Sequence, residues 1–519
     1  MGGRVDVIRQ NGDCQSEVLA FLANPATYGG APVRRIDTHS AVAFLAGDRA
    51  FKVKRAVRYS YLDFSTLAQR RAACEAELEI NRAFAPGLYL RVIPITREPD
   101  GALRLGGDGE RVEWVVEMRR FDETRTLDRL ADDNAIDLAL ADKLARAVAA
   151  THNRVPVLEG APWIAALSSY IAENDAAFRA DPDLFDPAQT ASLGGDSRLA
   201  LSRLRPLLAA RGAEGMVRRG HGDLHLGNVA LVDGNPMLFD AVEFSPLIAA
   251  GDVLYDLAFL LMDLADRGLG AAANVVLNRY LAETRRMSDL AAIAALPFFM
   301  SLRAAIRANV TASRAAIART PDRAEARSSA KKYFALACRL IQPAPPLLVG
   351  IGGLSGTGKS RLAATLAPEL APAPGAIVLR SDVERKAMQG RREDERLPPQ
   401  AYTPESAARV YAMLVEKAGR VIAAGHSAIV DAVFARPQER DALRNIAQAR
   451  GATFHGLFLT ADMATRVARV GSRLGDASDA DGAVARAQER YMLGHNDWQS
   501  IDASGAAECT LARARDLVA

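Results

Sequence analysis

Two apolar runs flank a turn early in the chain. Ala41-Val42-Ala43-Phe44-Leu45, then Gly47-Asp48-Arg49, then Ala50 to Lys54 form the pattern of a β-hairpin. Apolar positions at helical spacing follow over about 65–84, and again over 135–152 and 196–210. Residues 252–340 are rich in Ala and Leu and predict helix throughout, whereas 97–111 predicts an exposed hairpin or loop. A different pattern begins after Gln342-Pro343-Ala344-Pro345-Pro346. Strand-like runs at 347–352, 376–381, 427–433 and 453–459 alternate with helical periods at 359–367, 404–423, 437–449, 462–474 and 482–492. Thr403-Pro404-Glu405 supplies a capping hydroxyl and a proline at the first turn of one of these helices.

Proline blocks helix continuation and holds the chain extended, so the segment 342–346 reads as a linker. The expected division is 1–341, the linker 342–346, and 347–519. Strands early and helices late predict an α+β, two-lobed first domain. Strand–helix alternation predicts an α/β second domain with a parallel sheet covered on both faces. The length of 519 residues agrees with more than one domain, since a single core stops growing at roughly 250–300 residues.

Composition excludes some classes. Apolar residues at 49% and charged residues at 24% are those of folded protein. A net charge of +3 gives no support to a polybasic binder of nucleic acid or membrane. Cys14, Cys74, Cys338 and Cys509 are far apart and carry no zinc or disulfide spacing. The first ten residues lack an apolar signal core, and the apolar run 253–264 is broken by Asp256 and Asp263. These features predict a cytoplasmic protein with no membrane span.

The second domain opens on Gly353-Leu-Ser-Gly356-Thr-Gly358-Lys359-Ser360, which matches G-x-x-x-x-G-K-[ST] between a predicted strand and a predicted helix. Glycines let backbone amides turn toward a phosphate, and the helix N-terminus adds partial positive charge. Lys359 is expected to reach the β- and γ-phosphates of ATP, and Ser360 to ligate Mg2+. Asp382, at the end of the second strand, is the candidate base for an acceptor hydroxyl. Asp431, ending the third, is the candidate for the metal shell. Arg466, Arg469 and Arg473 recur at helical spacing before Gly475-Asp476-Ala477, the pattern of a lid that brings guanidinium groups to a transferring phosphoryl; Arg473 is the candidate catalytic arginine.

The first domain holds His221-Gly222-Asp223-Leu-His225-Leu-Gly227-Asn228. An aspartate followed five positions on by an asparagine is the spacing of a kinase catalytic loop, with Asp223 at the acceptor hydroxyl and Asn228 on metal. Twelve residues on, Leu238-Phe239-Asp240 offers a second metal carboxylate, although Ala241-Val242-Glu243 follows where protein kinases have glycine. His221 and His225, four apart, have no third ligand to make a zinc pair, and His221 reads better as bracing for this loop. Lys52 and Lys54 return from the hairpin on the same face of one strand. Either is a candidate to pair with ATP phosphate, hairpin length slightly favouring Lys54, and the partner is Glu75 or, preferably, Glu77 on the next helix.

With Gly251-Asp252-Val-Leu-Tyr255-Asp256-Leu-Ala258, the first half resembles aminoglycoside phosphotransferases, which implies a protein-kinase-like fold. The second half resembles small P-loop kinases: gluconate and shikimate kinases, zeta-toxin-like kinases and phage polynucleotide 5′-kinase. Trp498 to Ser504 looks like the adenine-side end of that group. Thr38-His39-Ser40, Tyr61 to Leu67 and Leu88-Tyr89-Leu90 resemble a bacterial group in which an aminoglycoside-phosphotransferase-like domain is fused to an AAA-type P-loop domain. The resemblance does not supply a substrate; the leading expectation is a bifunctional, ATP- and Mg2+-dependent phosphotransferase acting on small-molecule hydroxyls. Two alternatives stand beside it. One is a nucleic-acid 5′-hydroxyl kinase using Arg385-Lys386 and Arg391-Arg392; the other is a regulatory ATPase with one inactive head.

Overall fold

The computed structural model describes residues 12–38, 40–59, 62–317, 322–471 and 477–518. Arg473 and Gly475 of the expected lid, together with His39 and Tyr61, lie outside them.

The chain forms two compact units. The first comprises Met1–Asp263 with Phe298–Cys338, and the second Leu264–Pro297 with Arg339–Ala519. A single cut in the proline-rich segment would have given 264–297 to the first unit.

In the first unit, β1 (Val33–Asp37), β2 (Ala41–Ala46), β3 (Arg49–Lys54), β4 (Tyr89–Arg97), β5 (Leu103–Leu105) and β6 (Glu110–Arg119) make an antiparallel sheet in the order β1-β2-β3-β6-β4-β5. The hairpin register pairs Ala43 with Lys52 and Ala41 with Lys54. The segment 97–111 contains β5, which folds back on the end of β4 as a hairpin, and the flanking strands β4 and β6 run well beyond it. Helix α1 (Leu67–Phe84) starts with a capping box between Thr66 and Gln69 and packs beside β6. Helices then dominate, including Leu138–Arg154, Gly160–Ala180 and Pro187–Ala213. The run 252–340 is broken into α2 (Val253–Asp266), α3 (Gly270–Thr284), α4 (Met287–Ala292), α5 (Leu296–Ile317) and α6 (Asp322–Leu340). Met287–Ala316 is apolar and long enough to cross a membrane, which the sequence reading missed, and it is mostly buried inside the protein.

The second unit holds a five-stranded parallel sheet. Its strands β7 (Leu347–Gly352), β8 (Ile377–Arg380), β9 (Ala428–Asp431), β10 (Thr453–Thr460) and β11 (Gln499–Asp502) lie in the order β8-β9-β7-β10-β11. Val349, Ile351, Ile429, Leu457 and Leu459 pack beneath α7 (Lys359–Leu366) in one apolar core.

Strand β8 is an edge, and α3 closes it. Asn274 Nδ2 donates to Ala376 O at 3.0 Å, Asn278 Nδ2 donates to the same oxygen at 3.1 Å, and the Val378 amide donates to Asn278 Oδ1 at 2.7 Å. The side-chain amide of Asn278 thus gives and takes the two hydrogen bonds that a sixth strand would. An exposed parallel edge invites pairing with another chain, and covering it removes that template.

Candidate functional site

In the first unit, the sheet, α1 and the loop after Asn228 bring five charged side chains together. Lys52 Nζ lies 2.7 Å from Glu77 Oε1 and 2.5 Å from Asp240 Oδ1. Lys54 Nζ lies 2.7 Å from Glu77 Oε2 and pairs with Glu243. Both lysines therefore share one glutamate. Glu75, the other candidate, is exposed and pairs with Arg71. Lys54 is 2% exposed, whereas Lys52 keeps 15% and faces the candidate metal carboxylate. Burial pushes the Glu77 and Asp240 carboxyls up, but Lys52 and Lys54 outweigh it and hold both below the usual carboxylate range. Burial pushes Lys52 down, yet Asp240 and Glu77 outweigh it and hold its ammonium well above the ordinary lysine value.

The catalytic loop folds on itself. Asn228 Nδ2 donates to Asp223 O at 2.9 Å and to Asp223 Oδ2 at 3.1 Å, and neither bond uses Asn228 Oδ1. His225 Nε2 is 3.3 Å from Asp223 Oδ2. Burial raises the Asp223 carboxyl, but His225, with Arg307 and His221, holds it well below the usual range. It stays ionised and able to accept a hydrogen bond from an acceptor hydroxyl.

Asp256 of α2 pins this loop from beneath. It accepts from the His221 amide at 2.8 Å and the Gly222 amide at 3.0 Å, and meets His152 Nε2 at 3.2 Å. The His221 ring contacts Phe239 O through Nε2 at 2.9 Å, so this histidine braces the loop as expected. Asp252 pairs with Arg211 in the core. Asp240 adopts φ +62°, a left-handed conformation rare outside glycine, and such strain is held by surrounding contacts. A cavity of about 620 Å³ at the β2–β3 turn and the end of β6 is lined by residues such as Asp48, Arg120 and Asp233, and by none of these candidate residues.

In the second unit the phosphate loop runs from β7 into α7. A Cβ on Gly356 would sit 2.5 Å from Arg466 O, and one on Gly353 2.5 Å from Leu459 O, so both positions require glycine. Gly358 caps α7 with φ +96°. Lys359 Nζ donates to Leu354 O at 3.2 Å, folded back over its own loop. Ser360 Oγ donates to Asp431 Oδ2 at 2.6 Å, and Arg380 Nη2 donates to Ser360 Oγ at 3.1 Å.

Asp382 lies in the first turn of α8 (Ser381–Met388), just past the strand at whose end it was expected. Burial and neighbouring Asp431 push its carboxyl up, against a hydrogen bond from Ser478. It sits beside the metal-type pair and is not the cap of its helix.

Two expectations are corrected. Arg466 is 1% exposed and donates to Ser355 O at 3.0 Å and Ala485 O at 2.9 Å, while Arg469 donates to Ala503 O at 2.8 Å. They brace the phosphate loop and the tail, with Arg466 also paired to Glu489, so neither is a lid arginine. Trp498 is 5% exposed, with its ring 4.8 Å from that of Phe434, and it fills the space over Gly350 and Gly456. It is core, not a surface for a base.

With this geometry in place, comparison with known proteins is informative. Residues 45–290 match the model of the phosphotransferase enzyme family, and residues 348–493 match an AAA domain. An uncharacterized protein of Mycobacterium tuberculosis, Rv2004c, is 30% identical over 494 residues, spanning 92% of this chain and 94% of its own. A Mycobacterium bovis counterpart matches to the same extent. The chain belongs to this family of fused phosphotransferase and P-loop proteins. Among solved structures, the GDP complex of aminoglycoside 2′-phosphotransferase-IIIa is 16% identical, covering 62% of this chain and 98% of that one at a TM-score of 0.38. Mycobacterium tuberculosis APS kinase CysC in complex with AMPPNP and APS is 21% identical, covering 34% and 98% at a TM-score of 0.26.

Within this fused phosphotransferase the sequence reading missed Glu243, Asp256, Arg380 and Asn278. Glu243 was quoted only as part of the segment that follows Asp240 without a glycine. Arg380 lies two residues before Asp382, and Asp256 stood inside the quoted Gly251–Ala258 segment without a role. For Asn278 the sequence carries no signal, because its partners are backbone atoms about 100 residues away.

Proposed function

We propose that the protein is a bifunctional ATP-dependent phosphotransferase with a separate ATP site in each unit, moving the γ-phosphoryl to hydroxyl groups of small molecules. The observation that carries this reading is the convergence of Lys52 on both Glu77 and Asp240 while Asn228 is bonded to Asp223. That arrangement separates the tasks: Lys52 for phosphate, Asn228 and Asp240 for metal, Asp223 for the acceptor.

In the second head, Gly353, Gly356, Gly358 and Lys359 form the phosphate cradle, Ser360 and Asp431 hold metal, and Asp382 receives the acceptor proton. The donor sets fit Mg2+, which binds through one or two carboxylates and takes further ligands from nucleotide phosphate and water. Bound there, it would neutralise charge developing on the phosphoryl oxygens. Asp223 and Asp382 each orient a hydroxyl and take its proton as the oxygen attacks phosphorus.

The nucleic-acid alternative gains no supporting observation. Arg385 donates to Ala401 O, Lys386 pairs with Asp479, Arg391 with Glu395 and Arg392 with Asp394.

The test is transfer of label from γ-labelled ATP to an extracted metabolite pool by the full chain and by Asp223→Asn and Lys359→Ala variants. Each substitution should remove a different set of labelled products. A pool left unlabelled by the wild-type chain, with ATP hydrolysed to free phosphate, would replace the kinase reading with an ATPase.

A further inference from the structure

Lys54 and Glu243 have no part in the tasks assigned above, yet they are among the most buried charges of the first unit, at 2% and 6% exposure. Lys54 sits between two carboxylates, Glu77 and Glu243, with the Phe64 ring 5.4 Å from its ammonium. Glu77 is fully buried and offers one oxygen to each lysine. Removing Lys54 would leave Lys52 to balance Glu77 and take from Glu243 its ion-pair partner, and a buried carboxylate without a counter-charge is strongly unfavourable.

The loop that carries Asp240 is tied at every residue. The Asp240 amide donates to Tyr89 Oη at 3.0 Å, the Ala241 amide to Asn81 Oδ1 at 2.8 Å and the Val242 amide to His221 O at 2.9 Å; the Glu243 carboxylate takes Lys54. Tyr89, Asn81 and Lys54 come from β4, α1 and β3. The left-handed backbone at Asp240 is thus held from three elements, where a glycine would have let it turn.

We propose that Lys54 and Glu243 are positioning residues of the first head. Their buried ion pair keeps Glu77 and the Asp240 loop in the metal-ready arrangement. The inference rests on the ATP-dependent reading of that head.

The test uses the full chain in a Lys359→Ala, Asp431→Asn background, which weakens the second head. The probe is Mn2+ with AMPPNP, read by electron paramagnetic resonance, alongside metal-free AMPPNP binding by calorimetry and hydrogen exchange over residues 240–244. Lys54→Met and Glu243→Gln should each weaken Mn2+ by roughly 10–100-fold, the cost of removing groups that orient metal ligands. Metal-free nucleotide affinity should hold within about threefold, exchange at 240–244 should rise, and the double variant should be no worse than the worse single. Lys52→Met should instead weaken the nucleotide itself. If Lys54→Met does not fold, Lys54→Arg and Glu243→Asp carry the same comparison, with Lys54→Arg retaining more metal affinity than Glu243→Asp.

Unchanged Mn2+ affinity in both single variants overturns the proposal, as do independent, multiplying effects of the two. A Lys54→Met variant that loses metal-free nucleotide as Lys52→Met does would make Lys54 the nucleotide lysine. Absence of any Mn2+–nucleotide binding in the unsubstituted first head would sink the ATP reading itself, a separate outcome.

Discussion

The hydroxyl of Ser360 donates to Asp431 across 2.6 Å, joining the first turn of the phosphate-loop helix to the end of a strand 71 residues later in the chain. The two groups proposed to hold metal in the second head are therefore in direct contact. In an Asp240→Asn background, Asp431→Asn should weaken Mn2+ at the second head by roughly 10–100-fold, with metal-free nucleotide affinity little changed. Manganese titration in the presence of AMPPNP reads this; equal loss of both affinities would instead place Asp431 in the fold.

Asp382 should show itself as a base in a pH profile. Burial and Asp431 push its carboxyl above the ordinary value, so transfer by the second head should fall as pH drops through that raised range. In an Asp223→Asn background, Asp382→Asn should cut acceptor labelling by about 10²–10⁴-fold and lose this limb of the profile. ATP affinity should be retained. Labelling at the wild-type rate would move the base elsewhere.

Asp256 should matter for stability rather than chemistry. Asp256→Ala strands the amides of His221 and Gly222 and the buried His152. Removing one partner from a buried charged network costs about 3–5 kcal/mol. Pulse proteolysis in urea should show the first unit opening at markedly lower denaturant. Asp256→Asn, which can still accept one amide, should lose less.

His426 predicts how stability depends on acid. It is fully buried, and neither ring nitrogen has a hydrogen-bond partner among the described residues. Burial pushes its imidazole down to about 4. The unfolded chain takes up a proton below about 6.5, whereas the folded chain does not until near 4. Stability is therefore whole above the unfolded value and is lost as pH falls through that window, by an amount on the order of 3 kcal/mol. His426→Leu should flatten the dependence of the urea midpoint between pH 7 and 4.5; an unchanged slope would assign it to other groups.

Asn278 should protect the edge of the second sheet. Asn278→Leu removes both bonds to the Ala376–Val378 backbone. Hydrogen bonds of this kind contribute about 0.5–1.5 kcal/mol each, so the Val378 amide should exchange at least several-fold faster. Amides of the central strand β7 should stay protected. Uniform loss across the sheet would mean global destabilisation instead.

Much of this was legible in the chain. Strand β7 spans the residues its unbroken apolar run marked, because a parallel strand buried on both faces has no polar interruptions. The helix begun by Thr403 and Pro404 runs over the expected 404–423. Strands β4 and β6 were hidden because Arg91 and Glu117 interrupt their apolar pattern and pair with each other across the sheet. Helix α8 was hidden because Glu384, Arg385 and Lys386 read as solvated and are buried through partners distant in sequence. Lys52 and Lys54 could not be separated by spacing, since both reach the same glutamate and differ only in the second carboxylate. Arg466 has the helical period of a free basic face, and only coordinates reveal the carbonyls that absorb it.

The strip 264–297 leaves the first unit between two of its helices, closes the edge of the second unit's sheet and returns. A gene rearrangement that carried off residues 345–519 alone would deliver a sheet with an open side. One that carried off residues 1–341 would take with it a piece fitted to a partner left behind. The second sheet is therefore completed by residues that a cut at the proline-rich segment would leave with the first unit.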